Sequence, residues 1–305
     1  MSVSLGRFRA GGNLRAHGSA LLVIALWSAT YVLTKIALAE MGPISLALFR
    51  NGVATIVLVI WFLATKPAKL LPRKADYPIL FGLGVCGVGF FYMLQNIGLR
   101  YTTATDTALL VTASPAIVAA LAVFVLGEPC GWRRALGIGL ASLGVVTLAV
   151  GGSTAAHTAS NGGGRAFGDA VIALTALGWA LYTVYGKGLL TRYSTLALTT
   201  YTTVLGTVVL IPLAAIETID HPSRPVNLLL VACGLYLGVL GSAVGYVLWN
   251  HALRLLPAGT VSAYLYIRPL FTAILAAALL NERPTVTTGA GAALIILGAT
   301  LSFTR

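Results

Sequence analysis

Ten stretches of about 20 predominantly apolar residues follow one another with little chain left between them, at 18–38, 44–64, 79–99, 104–126, 133–150, 168–189, 195–216, 228–250, 258–280 and 285–303. An α-helix of that length crosses the hydrocarbon of a bilayer, and no open sheet or irregular segment can do so facing lipid. The chain is therefore expected to be an all-α integral membrane protein with ten transmembrane helices. Composition excludes the alternative: 9% charged residues cannot cover a soluble surface, and 58% of the 305 residues are hydrophobic.

The remaining charge is unbalanced, 20 Lys and Arg against 8 Asp and Glu, for a net +12. A nucleic-acid footprint needs these charges clustered on one folded face, but here they fall singly or in small groups between apolar runs. They read as topology instead. With the N-terminus inside, thirteen of the twenty basic residues lie on the cytoplasmic side, which places both termini in the cytoplasm. Residues 1–17 then form a cytoplasmic N-terminal tail and the Gly/Ser-rich 151–167 an external linker. The first apolar run is too long for a cleaved signal peptide and reads as an uncleaved span. Cys86, Cys130 and Cys233 have neither disulfide nor zinc spacing, and no cofactor or metal is expected.

The chain also contains itself twice. Displaced by 154 positions, Tyr92, Asn96, Ala104, Pro115, Glu128, Gly137 and Gly144 fall on Tyr246, Asn250, Ala258, Pro269, Glu282, Gly291 and Gly298. Nearer the start the displacement is 152, taking Trp27 to Trp179 and Lys35 to Lys187. Residues 18–150 and 168–303 are thus two five-helix repeats, and an odd number of crossings makes them inverted with respect to each other. Inverted repeats belong to transporters in which exchanging the conformations of two halves turns an outward-open site into an inward-open one.

Arg268 is the sharpest position, because it falls close to the middle of its span, where a charge must face a cavity or a partner. Two readings stand for it, a ligand for a substrate carboxylate or a tie to backbone carbonyls. Tyr264 lies one turn earlier on the same face, and Pro269 follows, matched by Pro115, so that the two prolines are candidate hinges. Arg50 falls nearer the outer boundary, where snorkelling relieves its cost, and is a candidate gating residue. Lys35 and Lys187 read as interfacial anchors. Trp27 with Tyr31 and Trp179 with Tyr182 each share a helix face, as do Tyr92 with Asn96 and Tyr246 with Asn250. Their pairing at equivalent depths makes them candidates to line a shared cavity, suited to an apolar or aromatic body, with helix packing as the alternative. A Gly82 to Gly87 match to the dinucleotide fingerprint lies inside a span and has no preceding strand, so it is rejected. No acid or histidine falls near mid-membrane, which favours facilitated transport or exchange over proton coupling, and no nucleophile–base constellation points to an enzyme.

At Trp27 to Tyr31 with Lys35, Pro43 through Arg50, Ala252 to Arg254, and Pro115 through Gly127-Glu128-Pro129 repeated as Pro269 through Asn281-Glu282-Arg283-Pro284, the chain resembles the drug/metabolite transporter superfamily, specifically its EamA-type members. Within it the aromatic positions are most similar to amino-acid exporters of the YddG type. The resemblance implies a central cavity lined by spans 1–4 and 6–9, with spans 5 and 10 peripheral, and substrates among amino acids, amphipathic drugs, nucleotide sugars and sugar phosphates. The combined expectation is an inner-membrane exporter of neutral and aromatic amino acids and related metabolites. The alternatives are exchange of phosphorylated metabolites or nucleotide sugars, export of cationic drugs, or a receptor or scaffold without transport.

Overall fold

A computed structural model describes residues 10–67, 70–128, 131–151, 162–220, 227–281 and 286–303. Cys130, His157, Glu282, Arg283 and Pro284 lie outside them. Among the described residues the regular structure is helical. The rods are α1 (Ala10–Ser28 and Thr30–Ala37), α2 (Pro43–Ala64), α3 (Tyr77–Gly84, Val85–Gly89 and Phe90–Tyr101), α4 (Ala104–Leu110, Val111–Ala113 and Ser114–Leu126) and α5 (Trp132–Gly151). After them come α6 (Gly162–Leu189), α7 (Thr195–Asp220), α8 (Leu228–Leu235, Tyr236–Val244 and Gly245–Leu255), α9 (Ala258–Ala263, Tyr264–Ile267 and Arg268–Leu280) and α10 (Val286–Phe303). Eight of these rods are long and apolar enough to cross a membrane, and α5 and α10 contribute two shorter apolar helices, Ala135–Gly144 and Gly289–Gly298. The outward faces carry unpaired hydrocarbon such as Ile56, Phe124 and Ile274 at 61%, 86% and 67% exposure, a surface that only lipid can cover.

The ends of the rods follow local chemistry. Pro43 opens α2, where its missing N–H costs nothing. Thr103 Oγ1 caps α4 by accepting the Asp106 N–H at 2.9 Å, and Asn227 Oδ1 caps α8 through the Leu230 N–H at 2.8 Å. Left-handed residues close the two rods that occupy equivalent places, Gly127 (φ +65°) after α4 and Asn281 (φ +54°) after α9. Two boundaries differ from the sequence reading. Helix begins at Ala10 and at Gly162, inside the stretches assigned to tail and linker. Packing extends both: Ala16 is fully buried, and the Phe167 ring meets Tyr101 edge-on at 5.5 Å.

Periodicity could not reveal the interruptions. α3 widens to π geometry at Val85–Gly89 and α8 at Tyr236–Val244, overlapping when displaced by 154. α4 and α9 tighten to 3-10 geometry at Val111–Ala113 and Tyr264–Ile267, again in equivalent places. Pro115 and Pro269 sit in the first turn of the helical segments that follow. Each ring therefore follows directly on a 3-10 turn inside a continuous rod.

The rods pack as α1 on α8, α3 on α6, α2 on α7, α4 on α9 and α5 on α10. Exchanging the halves maps this set of pairings onto itself. Glycines make the closest approaches reciprocal. A Cβ on Gly144 of α5 would lie 2.7 Å from the Gly291 carbonyl of α10, and one on Gly298 of α10 would overlap the Gly137 carbonyl of α5. A Cβ on Gly84 of α3 would lie 2.6 Å from the Thr202 carbonyl, and one on Gly238 of α8 would lie 2.9 Å from the Arg50 carbonyl. Thr202 is the repeat equivalent of Arg50. Only glycine lets these backbones touch.

Candidate functional site

A buried pocket at the centre of the bundle is lined by Trp27, Arg50, Phe91, Tyr92, Gln95, Val111, Trp179, Leu265 and Arg268. Its walls come from α1, α2, α3, α4, α6 and α9. The residues are mostly aromatic or aliphatic, and the charged ones are two arginines without an acid among the lining.

Arg268 is 7% exposed and held by the break in α1. Where the helix stops at Ser28 and restarts at Thr30, backbone carbonyls lose their regular partners. The Trp27 carbonyl accepts from Arg268 Nε at 3.3 Å and Nη2 at 3.2 Å, and from the Thr30 hydroxyl at 2.7 Å. Thr272, one turn beyond Arg268, donates to the Ser28 carbonyl at 2.9 Å. Arg268 also donates to Thr30 Oγ1 at 3.1 Å and lies over the Tyr31 ring, 4.1 Å from its centre. One edge of the guanidinium thus ties the α1 carbonyl, while the residue also lines the pocket.

Arg50 is enclosed by protein. It is 2% exposed, donates from Nε to Ser242 Oγ at 2.7 Å, and lies 3.7 Å from the centre of the Tyr92 ring. Snorkelling is closed to it because the π segment of α8 packs across it, with Gly241 leaving just enough room: a Cβ there would meet Arg50 Nη2 at 3.1 Å. Its Nη1 is buried without a hydrogen-bond partner.

The paired aromatics do converge. Trp27 and Trp179 meet edge to face at 5.1 Å, Trp179 stacks on Tyr182 at 5.6 Å, and Tyr246 stands edge-on to Trp179 at 5.5 Å. Tyr92 and Tyr246 are 6.1 Å apart. Two pairs of mutual repeat equivalents, Trp27 with Trp179 and Tyr92 with Tyr246, therefore touch each other, and so do Thr55 and Thr207, whose hydroxyls lie 2.9 Å apart. Among the donors, Trp27 Nε1 gives to the Gly241 carbonyl at 2.7 Å and the Tyr246 hydroxyl to the Gly87 carbonyl at 2.6 Å. Both carbonyls belong to π segments, whose widened turns free them from the normal ladder.

Other candidates are committed elsewhere. Asn96 Nδ2 donates to the Pro43 carbonyl at 2.9 Å, and Asn250 Nδ2 to Tyr182 at 2.8 Å and Thr199 at 3.0 Å, so neither lines the pocket. The Tyr264 hydroxyl lies 2.6 Å from His17 Nδ1, joining α9 to the start of α1 outside the lining. Tyr31, Tyr182 and Tyr246 sit immediately behind the wall. Pro115 and Pro269 are first-turn residues of their helical segments and are not in the lining. Lys35 and Lys187, read as interfacial anchors, bind carbonyls at helix ends: Lys35 Nζ donates to the Leu99 and Thr102 carbonyls at 2.7 and 2.6 Å, and Lys187 Nζ donates to the Leu256 carbonyl. Thr102 and Leu256 are repeat equivalents. Glu128 pairs with Lys187 at 3.3 Å and accepts the Ala258 N–H at 2.7 Å, an anion at the start of α9. Phe91, Gln95 and Trp249 escaped the sequence reading because none has an identical repeat partner; Trp249 packs 5.4 Å from Trp27 and 5.2 Å from Trp179.

Comparison with known proteins places these features. The EamA-like transporter family model matches residues 14–150 and again 166–304, once per half. A protein of Archaeoglobus fulgidus named as an uncharacterized transporter is 34% identical over 290 residues, covering 95% of this chain and 98% of its own. A "Probable terminal-alkyne amino-acid exporter" of Streptantibioticus cattleyicolor is 30% identical over 288 residues, covering 94% of this chain and 93% of its own. A solved crystal structure superimposes with a TM-score of 0.73 at 17% identity over 97% of both chains, which establishes a shared fold. The chain is a multi-pass membrane protein with a small-molecule substrate, and it belongs to the EamA-like transporter family.

Proposed function

We propose that this protein is an alternating-access exporter of small carboxylate-bearing molecules, neutral and aromatic amino acids and related metabolites among them. In this reading the ten rods all cross a bacterial-type inner membrane as two inverted five-helix repeats with both termini cytoplasmic. The observation that carries it is the central pocket, where two arginines meet an aromatic wall. A carboxylate would reach the guanidinium groups and an apolar body would lie against Trp27, Phe91 and Trp179. The Streptantibioticus relative, named for export of an amino acid, supports the substrate class. No Asp, Glu or His lines the pocket, which supports facilitated movement over proton coupling. Purified protein in liposomes should take up members of a labelled amino-acid panel with saturable kinetics; absence of saturable uptake of every member, beside an active control carrier, overturns the reading.

The donor pattern around the π segments supports alternation. Exchanging the halves turns Trp27 to Gly241 into Trp179 to Gly87, and Tyr246 to Gly87 into Tyr92 to Gly241. In this conformation Gly241 takes the tryptophan and Gly87 takes the tyrosine, while Trp179 Nε1 is buried without a partner. The opposite-facing state is reached in this reading by swapping the donor at each carbonyl, two hydrogen bonds broken and two made, so that the two states stay close in energy.

A further inference from the structure

The polar groups of the pocket are nearly all donors. Arg50 Nη1 and Trp179 Nε1 are buried N–H groups with no acceptor. Arg268 uses Nε and Nη2 on Trp27 and Thr30, and no described residue accepts from its Nη1. Gln95 makes no hydrogen bond and can turn either end of its amide to a ligand. Against these stand no carboxylate and no histidine in the lining. Two guanidinium groups buried at 2% and 7% exposure have hydrogen bonds and ring faces but no counter-ion in the wall, so their desolvation penalty is only partly offset. A ligand with a negative charge relieves it. A ligand ammonium group would enter the field of both cations with no acid to receive it.

We propose that this site recognises its ligand as an organic anion: the carboxylate and apolar body are read, the α-amino group is not, and monocarboxylates lacking the amine, such as arylpropanoates and 2-oxo acids, bind at least as well as the corresponding amino acids. The inference rests on the functional reading above only for the place of the site, and it narrows the substrate class. Binding selectivity is expected to follow net charge at constant ring: anion first, zwitterion next, cation last.

The test is direct binding to purified protein in nanodiscs, read by quenching of pocket tryptophan fluorescence, with 3-phenylpropanoate, phenylalanine and phenethylamine as probes. The expected result is that 3-phenylpropanoate binds as tightly as phenylalanine or more so, that phenethylamine binds at least tenfold more weakly, and that Arg50→Gln, checked for an unchanged melting temperature, weakens 3-phenylpropanoate at least tenfold while phenethylamine binding is unchanged or tighter. Where Arg50→Gln does not fold, the order of the three probes on the unaltered protein decides alone. Phenethylamine binding as well as phenylalanine, phenylalanine binding tenfold better than 3-phenylpropanoate, or no binding of 3-phenylpropanoate would each overturn the inference. Transport of amino acids in liposomes together with amine-dependent binding would overturn this inference while leaving the exporter reading intact. Tight binding of the anions without any flux would do the reverse.

Discussion

Trp27 and Trp179 hold equivalent places in the two halves and meet edge to face at 5.1 Å, yet only Trp27 has an acceptor for its N–H, the Gly241 carbonyl at 2.7 Å. The equivalent carbonyls of the two π segments thus take different donors, Gly241 a tryptophan and Gly87 a tyrosine. Trp27→Phe should cost about 1 kcal/mol more than Trp179→Phe, since both remove the same ring volume but only the first breaks a hydrogen bond. Thermal unfolding of the two variants in detergent measures this difference; equal destabilisation would show that the bond contributes nothing.

Arg268→Lys should insert and express like the parent but lose at least tenfold in transport. An ammonium can reach the Trp27 carbonyl, but it gives up the guanidinium 4.1 Å from the Tyr31 ring centre and the edge that lines the pocket. Initial uptake rates at matched protein content decide. Unchanged rates would reduce Arg268 to a tie for the α1 break.

The α5 and α10 interface depends on backbone contact. Gly144→Leu should destabilise by about 1–3 kcal/mol, because its Cβ would meet the Gly291 carbonyl at 2.7 Å. Gly139→Ala, with open space around the same helix, should be neutral or slightly stabilising. A chemical-denaturant series on both variants compares them, and equal behaviour would contradict the close approach.

Glu217 ties the end of α7 to the start of α2 by accepting the Ile44 and Ser45 N–H groups at 3.1 and 2.7 Å and the Ser45 hydroxyl at 2.8 Å. Glu217→Ala strands these donors and should cost about 1–3 kcal/mol, with Glu217→Gln recovering part of it. Melting temperatures of the three proteins give the order, and a Gln variant no better than Ala would show that charge rather than hydrogen bonding matters there.

Much of the fold was legible because lipid imposes it: apolar length gave the rods, and internal similarity gave the correspondence of Lys35 with Lys187 and of Pro115 with Pro269. The pocket was half legible for the same reason. Searching for identical residues in both halves found Trp27, Trp179, Tyr92 and Tyr246, but it passed over Phe91, Gln95 and Trp249, whose equivalents are Gly245, Trp249 and Gln95. Arg50 matches Thr202 and Arg268 matches Ser114, so the charge that distinguishes the site lies where the repeats diverge. The enclosure of Arg50 was not legible because residue counting along α2 does not register the π segment of α8 that covers it. Nor does apolar periodicity encode the break at Ala29, which exists through the hydrogen bonds Arg268 and Thr272 make to the freed carbonyls.

Solute counterflow tests the central claim most directly. Liposomes carrying the protein are preloaded with a high concentration of unlabelled substrate chosen from the carboxylate panel and diluted into a trace of the same labelled compound. A carrier that turns its loaded site from one side to the other must show a transient accumulation of label above the equilibrium level, and Arg50→Gln and Arg268→Lys must lower that peak. Label that only rises to equilibrium, or does not enter for any compound while a control carrier in parallel liposomes overshoots, would contradict alternating access through this pocket.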